Sequence, residues 1–321
     1  MGEANTRLLG KRRSEKNSMK IKDKIQQAIV SSFIALAFLV LTILGNINSW
    51  SIYVVTLFSV VLAFASERTL YKWQDVFDNI NWKKSLRSLQ RFGYLNSNAY
   101  VRISFAYLFR IMIDGKYLLI LNDRKIGFFQ PIGGVYKYYD EEAEYISKKF
   151  SFKCDDLVPC DADSNNDYRL YVRSKDLRRF VRRFNLTKFR ESYSDLSREL
   201  KEELNIDHLQ SFSTIKYSCC GRHMTNVQFS EYLDSYELLL ADIINLQLSD
   251  EQRTEIRAIL RDNPQKFILA DADSIKRNGV KSYSDDLHAT IASHTRKILQ
   301  EYDTELQSLY CKPVEVQIDR K

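Results

Sequence analysis

The chain has 321 residues, of which 45% are hydrophobic and 28% charged, with a formal net charge of +7. Its five cysteines show no C-x-x-C spacing and its four histidines no zinc-site spacing, which argues against a disulfide framework and a zinc site. No G-x-S-x-G, Walker or G-x-G-x-x-G motif occurs. Part of the positive charge lies in the N-terminal tail, so the net charge is poor evidence for nucleic-acid binding.

A charge-free segment is the strongest feature of the N-terminal part. No charged side chain occurs from Ile25 to Ser66, and two apolar runs, at about 28–45 and 50–66, are separated by a short polar turn. This pattern predicts a helical transmembrane hairpin at 27–66. A secretory signal has one apolar region rather than two, and a buried helix of a soluble domain seldom lacks a polar stripe for so long.

Basic residues flank the hairpin on both sides. Lysines and arginines are dense in the tail at 1–26, and Arg68 and Lys72 follow the second apolar run. The positive-inside rule then predicts a multi-pass membrane protein with both termini in the cytoplasm. From 67 to 97, apolar and basic residues interleave, which predicts one or two amphipathic linker helices beside the membrane. A helix that packs on the following domain would show the same pattern.

The globular part, at 98–321, opens with a β-hairpin signal. Val101 to Ile113 alternates and is rich in β-branched and aromatic residues, an Asp-Gly-Lys turn follows, and an apolar return strand comes next. Shortly afterwards Gly133 and Gly134 stand side by side. Paired glycines beside a strand let a backbone approach a ligand closely, although such a pair is often only a turn.

Three glutamates converge on one predicted helix. Glu191–Leu204 has helical periodicity, and Glu199, Glu202 and Glu203 project from one face of it. Convergent carboxylates repel one another unless a cation joins them, and Mg²⁺ accepts this set of oxygen ligands and usually bridges to phosphate. The alternative is an exposed helix in which the neighbouring basic side chains neutralise the glutamates.

The helix resembles the Nudix box, which ends R-E-U-x-E-E-x-G-U with U a bulky aliphatic residue. Arg198–Ile206 matches every specified position except that Asn205 replaces the glycine, and asparagine is the next-best residue for a left-handed helix end. The resemblance implies an α+β fold in which the hairpin precedes a Nudix-like mixed-sheet α/β/α domain. It also implies Mg²⁺ held by Glu199, Glu202 and Glu203. The implied ligand-binding residues are Gly133, Gly134, Arg198 and Glu199.

The first half of the box departs from the family pattern. Gly134 lies far upstream of the box helix, Arg190 occupies the position of the first glutamate, and Glu191 is one place off. A long insertion therefore separates the two halves, which puts diphosphate hydrolysis in doubt but not a nucleotide-binding cleft. The insertion contains an arginine-rich run, Leu177–Phe184, that predicts either a phosphate grip or, with more weight, a solvated helix face.

A two-helix membrane hairpin joined to such a domain is similar to the membrane effectors of CBASS antiphage systems that carry a SMODS-associated Nudix domain. The resemblance implies that a cyclic di- or trinucleotide, made by a partner nucleotidyltransferase, binds the Nudix-like domain. Binding would promote homo-oligomerisation, and the hairpins would then disrupt the bacterial inner membrane. The alternative is a membrane-tethered Nudix hydrolase of a nucleoside diphosphate derivative, with the glutamates holding Mg²⁺.

Downstream of the box, the sequence predicts mostly structural elements. Cys219–His223 indicates a turn that ends a strand, with Arg222 as a further ligand contact or, alternatively, as a satisfied turn residue. Leu248–Leu260 predicts a helix introduced by Ser249, and Tyr283–Tyr310 predicts a second one.

Overall fold

The chain divides into two compact units, Met1–Arg87 and Ser88–Lys321, and the division falls within the predicted linker. The computed structural model describes residues 2–77, 81–122, 127–155, 166–231, 233–280, 289–309 and 312–318. For some helical residues it describes the backbone alone, namely 2–24, 71, 74–77 and 81.

Two long helices, α1 (Gly2–Ile47) and α2 (Ile52–Phe77), form most of the first unit. Within them, Ile25–Ile47 and Ile52–Leu70 are long and apolar enough to cross a membrane. They support the membrane prediction by length and composition only. The basic tail is continuous with the first apolar run, and α2 continues past the second run into the segment predicted as a linker.

Small and polar residues join α1 to α2. Ala28 and Ser31 are buried, at 0% and 5% exposure. The Thr69 hydroxyl donates to the Ser31 carbonyl at 2.9 Å, and the Trp73 indole N–H donates to the Ser32 hydroxyl at 2.9 Å. In lipid, burying apolar side chains between helices stabilises their association very little. Helices therefore associate there through small residues that allow close approach and through hydrogen bonds between helices.

The second unit is an α+β domain, as predicted. Helix α3 (Asn81–Arg91) spans the division between the units. The strands are β1 (Tyr100–Arg110), β2 (Met112–Ile113), β3 (Lys116–Leu121), β4 (Phe128–Gln130), β5 (Gly133–Val135), β6 (Phe152–Cys154), β7 (Arg169–Arg173), β8 (Thr214–Met224), β9 (Gln228–Ser230), β10 (Ser235–Gln247), β11 (Phe267–Ala270), β12 (Thr290–Ile291) and β13 (Val314–Gln317). The helices are α4 (Asp140–Lys149), α5 (Leu177–Leu186), α6 (Ser197–Leu204), α7 (Asp250–Asp262) and α8 (Ala272–Lys276).

These strands make two mixed sheets. The larger has the order β13-β8-β10-β1-β7-β6, with β5 added to β1 and β9 to β10. The central pair, β1 and β10, is parallel, and their neighbours in the sheet are antiparallel. The smaller sheet has the order β11-β3-β4-β12, with β2 paired to β3. A strand buried on both faces, as β1 is, must be apolar over most of its length.

The side chains of β1 show why this strand is the centre of the fold. Alternate residues point to one face and are at most 1% exposed: Val101, Ile103, Phe105, Tyr107 and Phe109. The predicted hairpin after β1 is confirmed, because Asp114 and Gly115 both have positive φ, at 51° and 75°. Two consecutive residues with positive φ match the type I′ turn, whose backbone twist fits the twist of the strands that it joins.

The insertion is an integral part of the larger sheet. It contributes α4, β6, β7 and α5, and β7 pairs with β1 from Tyr100 to Ser104. Phe184 of α5 stacks on Phe105 of β1, with ring centroids 3.7 Å apart. Beneath the same helix, Glu142 is 0% exposed and accepts hydrogen bonds from Arg183. The segment that interrupts the Nudix box therefore fills core space beside β1.

Two downstream predictions are wrong in part. No long helix occupies Tyr283–Tyr310 where the chain is described, because β12 and two 3₁₀ segments, Ser293–Ile298 and Gln300–Glu305, stand there instead. Residues 281–288 lie outside the described chain. Cys219–His223 does not end a strand: it runs through β8 at a bulge, where Gly221 has φ of 140°. By contrast, the helix introduced by Ser249 is confirmed as α7, with a full capping box.

Candidate ligand-binding cleft

A cleft of about 420 Å³ lies between the smaller sheet, β5, β7 and α6. Its lining is polar for the most part and contains every predicted glycine and glutamate of the candidate site. The residues that line it are Leu121, Asn122, Gln130, Gly133, Gly134, Val135, Lys137, Asp167, Arg169, Arg198, Glu199, Glu202 and Glu203. The fold thus joins the two halves of the interrupted motif around one space.

The paired glycines are required by close packing on both sides of β5. Leu108 pairs with Gly133 and Tyr107 with Gly134. A Cβ on Gly133 would lie 2.2 Å from the Tyr107 carbonyl oxygen, and one on Gly134 would lie 2.3 Å from a carboxylate oxygen of Glu199. Neither contact is possible for a larger residue, so the glycines let the box helix approach the sheet.

Helix α6 is shorter than predicted, since it begins at Ser197 and a 3₁₀ turn precedes it. Its end agrees with the prediction: Asn205 has φ 55° and ψ 39°, the left-handed conformation expected of the residue that replaces the glycine. Leu200 and Leu204 are buried. The glutamates at the adjoining positions therefore face the cleft.

Arg198 stands among three carboxylates. Its guanidinium lies 2.9 Å from Glu199, 3.2 Å from Glu202 and 3.3 Å from Glu191. Glu191 is buried, and its other oxygen accepts a hydrogen bond from the Lys137 backbone N–H at 2.9 Å. Glu191 thus reaches the cluster although its sequence position is one place off, because the extended segment before α6 lies along the chain at Lys137.

Burial sets the protonation of the cluster. It raises the pKa of Glu199 to about 7; the Arg198 charge opposes this rise, and Glu202, Glu203 and Glu191 add to it. Beneath them, the Tyr107 hydroxyl is buried and has no hydrogen-bond partner among the described residues. Burial, with the charges of Glu199 and Glu191, raises the pKa of Tyr107 above its usual range, so this hydroxyl remains a donor.

The carboxylates of the cluster pair with a cation of the chain itself. In the described parts of the chain, no group of three His, Cys, Asp or Glu side chains could hold one. Arg198 already neutralises Glu199 and Glu202, and a proton competes for Glu199 near neutral pH. This pairing corresponds to the neutralised helix given as the alternative, and Mg²⁺ binding by Glu199, Glu202 and Glu203 stays a prediction.

Arg222 lies away from the cleft lining. It is 3% exposed and donates two hydrogen bonds to Asp242, at 2.5 and 2.9 Å, and one to Asn185 at 2.7 Å. Asp242 also accepts from the hydroxyls of Tyr136 and Tyr193, at 2.9 and 3.0 Å. The structure therefore places Arg222 in a buried polar network of the core and not, as predicted, at the ligand site.

The arginine-rich run, Leu177–Phe184, is helix α5, and its residues are absent from the cleft lining. The apolar members are buried, Arg183 pairs with Glu142 at 2.5 Å, and Arg179 lies 3.5 Å from Asp176. The interpretation of this run as a partly solvated helix face agrees with the structure. Lys137 and Arg169, which line the cleft, are the site residues that sequence reasoning missed. Lys137 lies three residues after the glycine pair, and this short spacing could have indicated that it belongs to the site.

A mixed sheet that brings a glycine pair and an R-E-x-x-E-E helix around one cleft defines a Nudix-type domain. The sequence model of the SMODS-associated NUDIX domain matches residues 100–299, most of the second unit. The chain belongs to this family. No curated protein and no solved structure matches the chain.

Proposed function

We propose that the protein is a membrane effector of a CBASS antiphage system. A cyclic di- or trinucleotide binds the cleft of the Nudix-type domain, and the bound form assembles into homo-oligomers. The apolar helices then disrupt the bacterial inner membrane, with both termini and the domain on the cytoplasmic side. The observation that carries the proposal is the cleft of this family, which brings the glycine pair and the second half of the box together although the first half of the box is interrupted.

The composition of the cleft supports nucleotide binding. Lys137 and Arg169 supply positive charge for phosphate, and Asn122 and Gln130 supply amides that hydrogen-bond a base or ribose. A small number of placed polar groups in a preformed cleft is the usual design of a small-molecule site.

The interrupted box supports sensing over hydrolysis. Diphosphate hydrolysis through a metal needs a cation that polarises phosphate oxygens or activates water. Here the first half of the box is interrupted and Arg190 occupies the position of its first glutamate, which is the feature that argues against efficient hydrolysis.

The first unit supports action on a membrane. Its large apolar side chains are widely exposed along both helices, at 67% for Phe33, 74% for Ile52 and 69% for Phe64. Exposed apolar surfaces of this kind promote aggregation of a protein in water, whereas a helix that crosses a bilayer needs an apolar outer surface.

One observation favours the alternative, a membrane-tethered hydrolase. A carboxylate that is only 12% exposed and has a pKa of about 7, as in Glu199, is well matched to general-base chemistry near neutral pH. The two functions differ in the fate of the ligand.

The decisive experiment uses the full chain in lipid vesicles loaded with dye. Cyclic di- and trinucleotides are added, and binding, dye release and intact ligand are measured by calorimetry, fluorescence and chromatography. We expect one nucleotide to bind, to trigger release and to be recovered unchanged. Rapid consumption of the ligand would refute sensing in favour of hydrolysis.

A variant of the first unit provides the matched control. Leu39 is 41% exposed on α1, and arginine near the centre of a span costs about 2.5–3.5 kcal/mol on insertion scales. Leu39→Arg should abolish dye release and retain binding, while Leu39→Ile should retain both. Release by Leu39→Arg equal to that of the unchanged protein would contradict the role of the helices.

A further inference from the structure

A groove of about 380 Å³ lies between the two apolar helices of the first unit. One stripe of each helix lines it, because residues spaced by three, four or seven positions share a helix face. The lining residues are Ser31, Ile34 and Phe38 of α1, and Val61, Phe64, Ala65, Arg68 and Lys72 of α2. The groove therefore has apolar walls over most of its length and two cations at one end.

Contacts between the helices hold the groove at both ends. At the charged end, the Thr69 hydroxyl donates to the Ser31 carbonyl at 2.9 Å. Toward the turn that joins the helices, the rings of Phe38 and Phe58 pack with their centroids 6.2 Å apart. These contacts set the separation of the two helices, so the walls of the groove are formed before a ligand binds.

The two cations of the groove have N–H groups to spare for an anion. Arg68 and Lys72 are four residues apart on α2, a spacing at which like charges destabilise a helix. Lys72 donates a long hydrogen bond, at 3.4 Å, to the Gln27 carbonyl, and a lysine has three N–H donors. Arg68 makes no ion pair or hydrogen bond with any residue that the structure describes. The neighbouring carboxylate, Glu67, is exposed and lies outside the lining of the groove.

The depth of the cations matches that of a lipid headgroup. Arg68 lies near the end of the apolar span Ile52–Leu70. Long basic side chains at the end of a span extend to the membrane interface, where phospholipids carry their phosphates. A guanidinium binds two phosphate oxygens through parallel hydrogen bonds, and a lysine adds a point charge. Arg68 and Lys72 therefore suit a phosphate at the interface.

The apolar walls require a ligand with a hydrocarbon chain. Ile34 and Phe38 on one side and Val61 and Phe64 on the other continue the groove from the cations into the apolar span. A soluble anion would contact the cations and leave these walls uncovered. An acyl chain covers them, and basic pockets between transmembrane helices bind the headgroups of anionic lipids.

We propose that this groove binds one anionic phospholipid, with its phosphate between Arg68 and Lys72 and an acyl chain between the helices. A headgroup with a net negative charge is preferred to a zwitterionic one, because the lining has two cations and no carboxylate. The site rests on the part of the proposed function that places the hairpin in a membrane. It adds a lipid that fixes the basic end of the hairpin at the headgroups of one leaflet.

Native mass spectrometry of the full chain in detergent counts bound lipid directly. Phosphatidylglycerol and phosphatidylcholine with identical acyl chains are added in turn, and inorganic phosphate supplies the phosphate without a chain. We expect one phosphatidylglycerol per chain, bound about tenfold or more tightly than phosphatidylcholine. Equal affinity for the two lipids would overturn the site. Inorganic phosphate bound as tightly as phosphatidylglycerol would also overturn it, since the groove would then be a site for a free anion.

Paired charge variants test the headgroup contact. Arg68→Gln combined with Lys72→Gln should lower the affinity for phosphatidylglycerol to that for phosphatidylcholine. The matched control, Lys148→Gln combined with Lys149→Gln, removes two exposed charges of α4 and should keep the preference. If both double variants lose the preference equally, the total charge of the chain selects the lipid and the groove does not.

A second pair of variants tests the wall of the groove. Ala65→Phe fills the groove and should weaken both lipids about tenfold or more. Ala63→Phe adds the same ring at an exposed position of α2 outside the lining and should leave both affinities unchanged. A chain that carries no lipid and forms a dimer that Ala65→Phe dissociates would assign the groove to a second copy, against the proposal.

Flotation with lipid vesicles separates failure of this site from failure of the proposed function. The proposed function requires the full chain to float with vesicles and to release dye when a nucleotide binds. If the chain floats and releases dye but shows no lipid preference in detergent, only the lipid site is wrong. If the chain does not float, the membrane part of the proposed function fails, and the lipid count in detergent still decides the groove.

Discussion

Replacing Arg222 by methionine should destabilise the second unit strongly while leaving its ligand site intact. The guanidinium makes two hydrogen bonds to Asp242 and one to Asn185, all within 2.9 Å. Methionine fills much of the volume but removes the charge. Asp242, 1% exposed, would then remain as a buried carboxylate with only the Tyr136 and Tyr193 hydroxyls as donors.

Removing one partner of a buried ion pair costs about 3–5 kcal/mol, because the other charge is left uncompensated. Against a typical total of about 5–15 kcal/mol, this is a large fraction of the stability of a domain. Arg222→Met combined with Asp242→Asn should recover a large part of the loss, since the asparagine is neutral and still accepts from the two tyrosine hydroxyls. Arg257→Met is the matched control, because its pair with Asp114 is exposed and contributes less than about 1 kcal/mol.

Hydrogen exchange of the β8 and β10 amides, measured by mass spectrometry on the full chain, reports this change region by region. Protection should fall by about 3–5 kcal/mol in Arg222→Met and stay constant in the control. Nucleotide binding should persist at a temperature where the variant is folded. Unchanged protection together with lost binding would show that Arg222 contacts the ligand after all.

Three smaller perturbations address the cleft itself. Gly134→Ala should push the Glu199 carboxylate about 1.1 Å away, from 2.3 Å to the 3.4 Å of an ordinary contact, and weaken nucleotide binding about tenfold or more by calorimetry. Gly133→Ala meets the Tyr107 backbone instead and should lower the melting temperature; the opposite pattern would contradict the packing described. The pKa of Glu199 is about 7 in the folded state and 4.5 for the free side chain. Between these two pH values the folded state therefore binds more protons than the unfolded state, and the free energy of unfolding falls as the pH rises. Glu199→Gln should therefore raise the free energy of unfolding at pH 8 by up to about 3 kcal/mol and flatten its pH dependence; equal pH profiles would refute the shift. Asn205→Ala should cost about 1 kcal/mol and Asn205→Gly little in the same denaturation measurement, since only the former strains a left-handed residue.

Local signals predicted much of the second unit. The first hairpin, the box helix and α7 follow from alternation, turn residues and caps, which act over a few neighbouring residues. The prediction of a helix over Tyr283–Tyr310 was wrong because apolar spacing there reflects packing against two sheets and not a helix face. Ile298 and Leu299 are buried in the cluster with Ile243 and Leu108. Such contacts are non-local and have no signature in a short window.

The sequence by itself determined the apolar N-terminal hairpin segments, the glycine pair, the carboxylate helix and its left-handed end, because each depends on residue type and short spacing. Only the tertiary structure decided what those carboxylates do. It brought Gly134 against Glu199 across the insertion and left the Glu199 side chain only 12% exposed. It also removed Arg222 from the site, since burial beside Asp242 requires a charged partner. Charge balance in a cleft depends on which side chains the fold brings within a few ångströms, and sequence distance does not encode this.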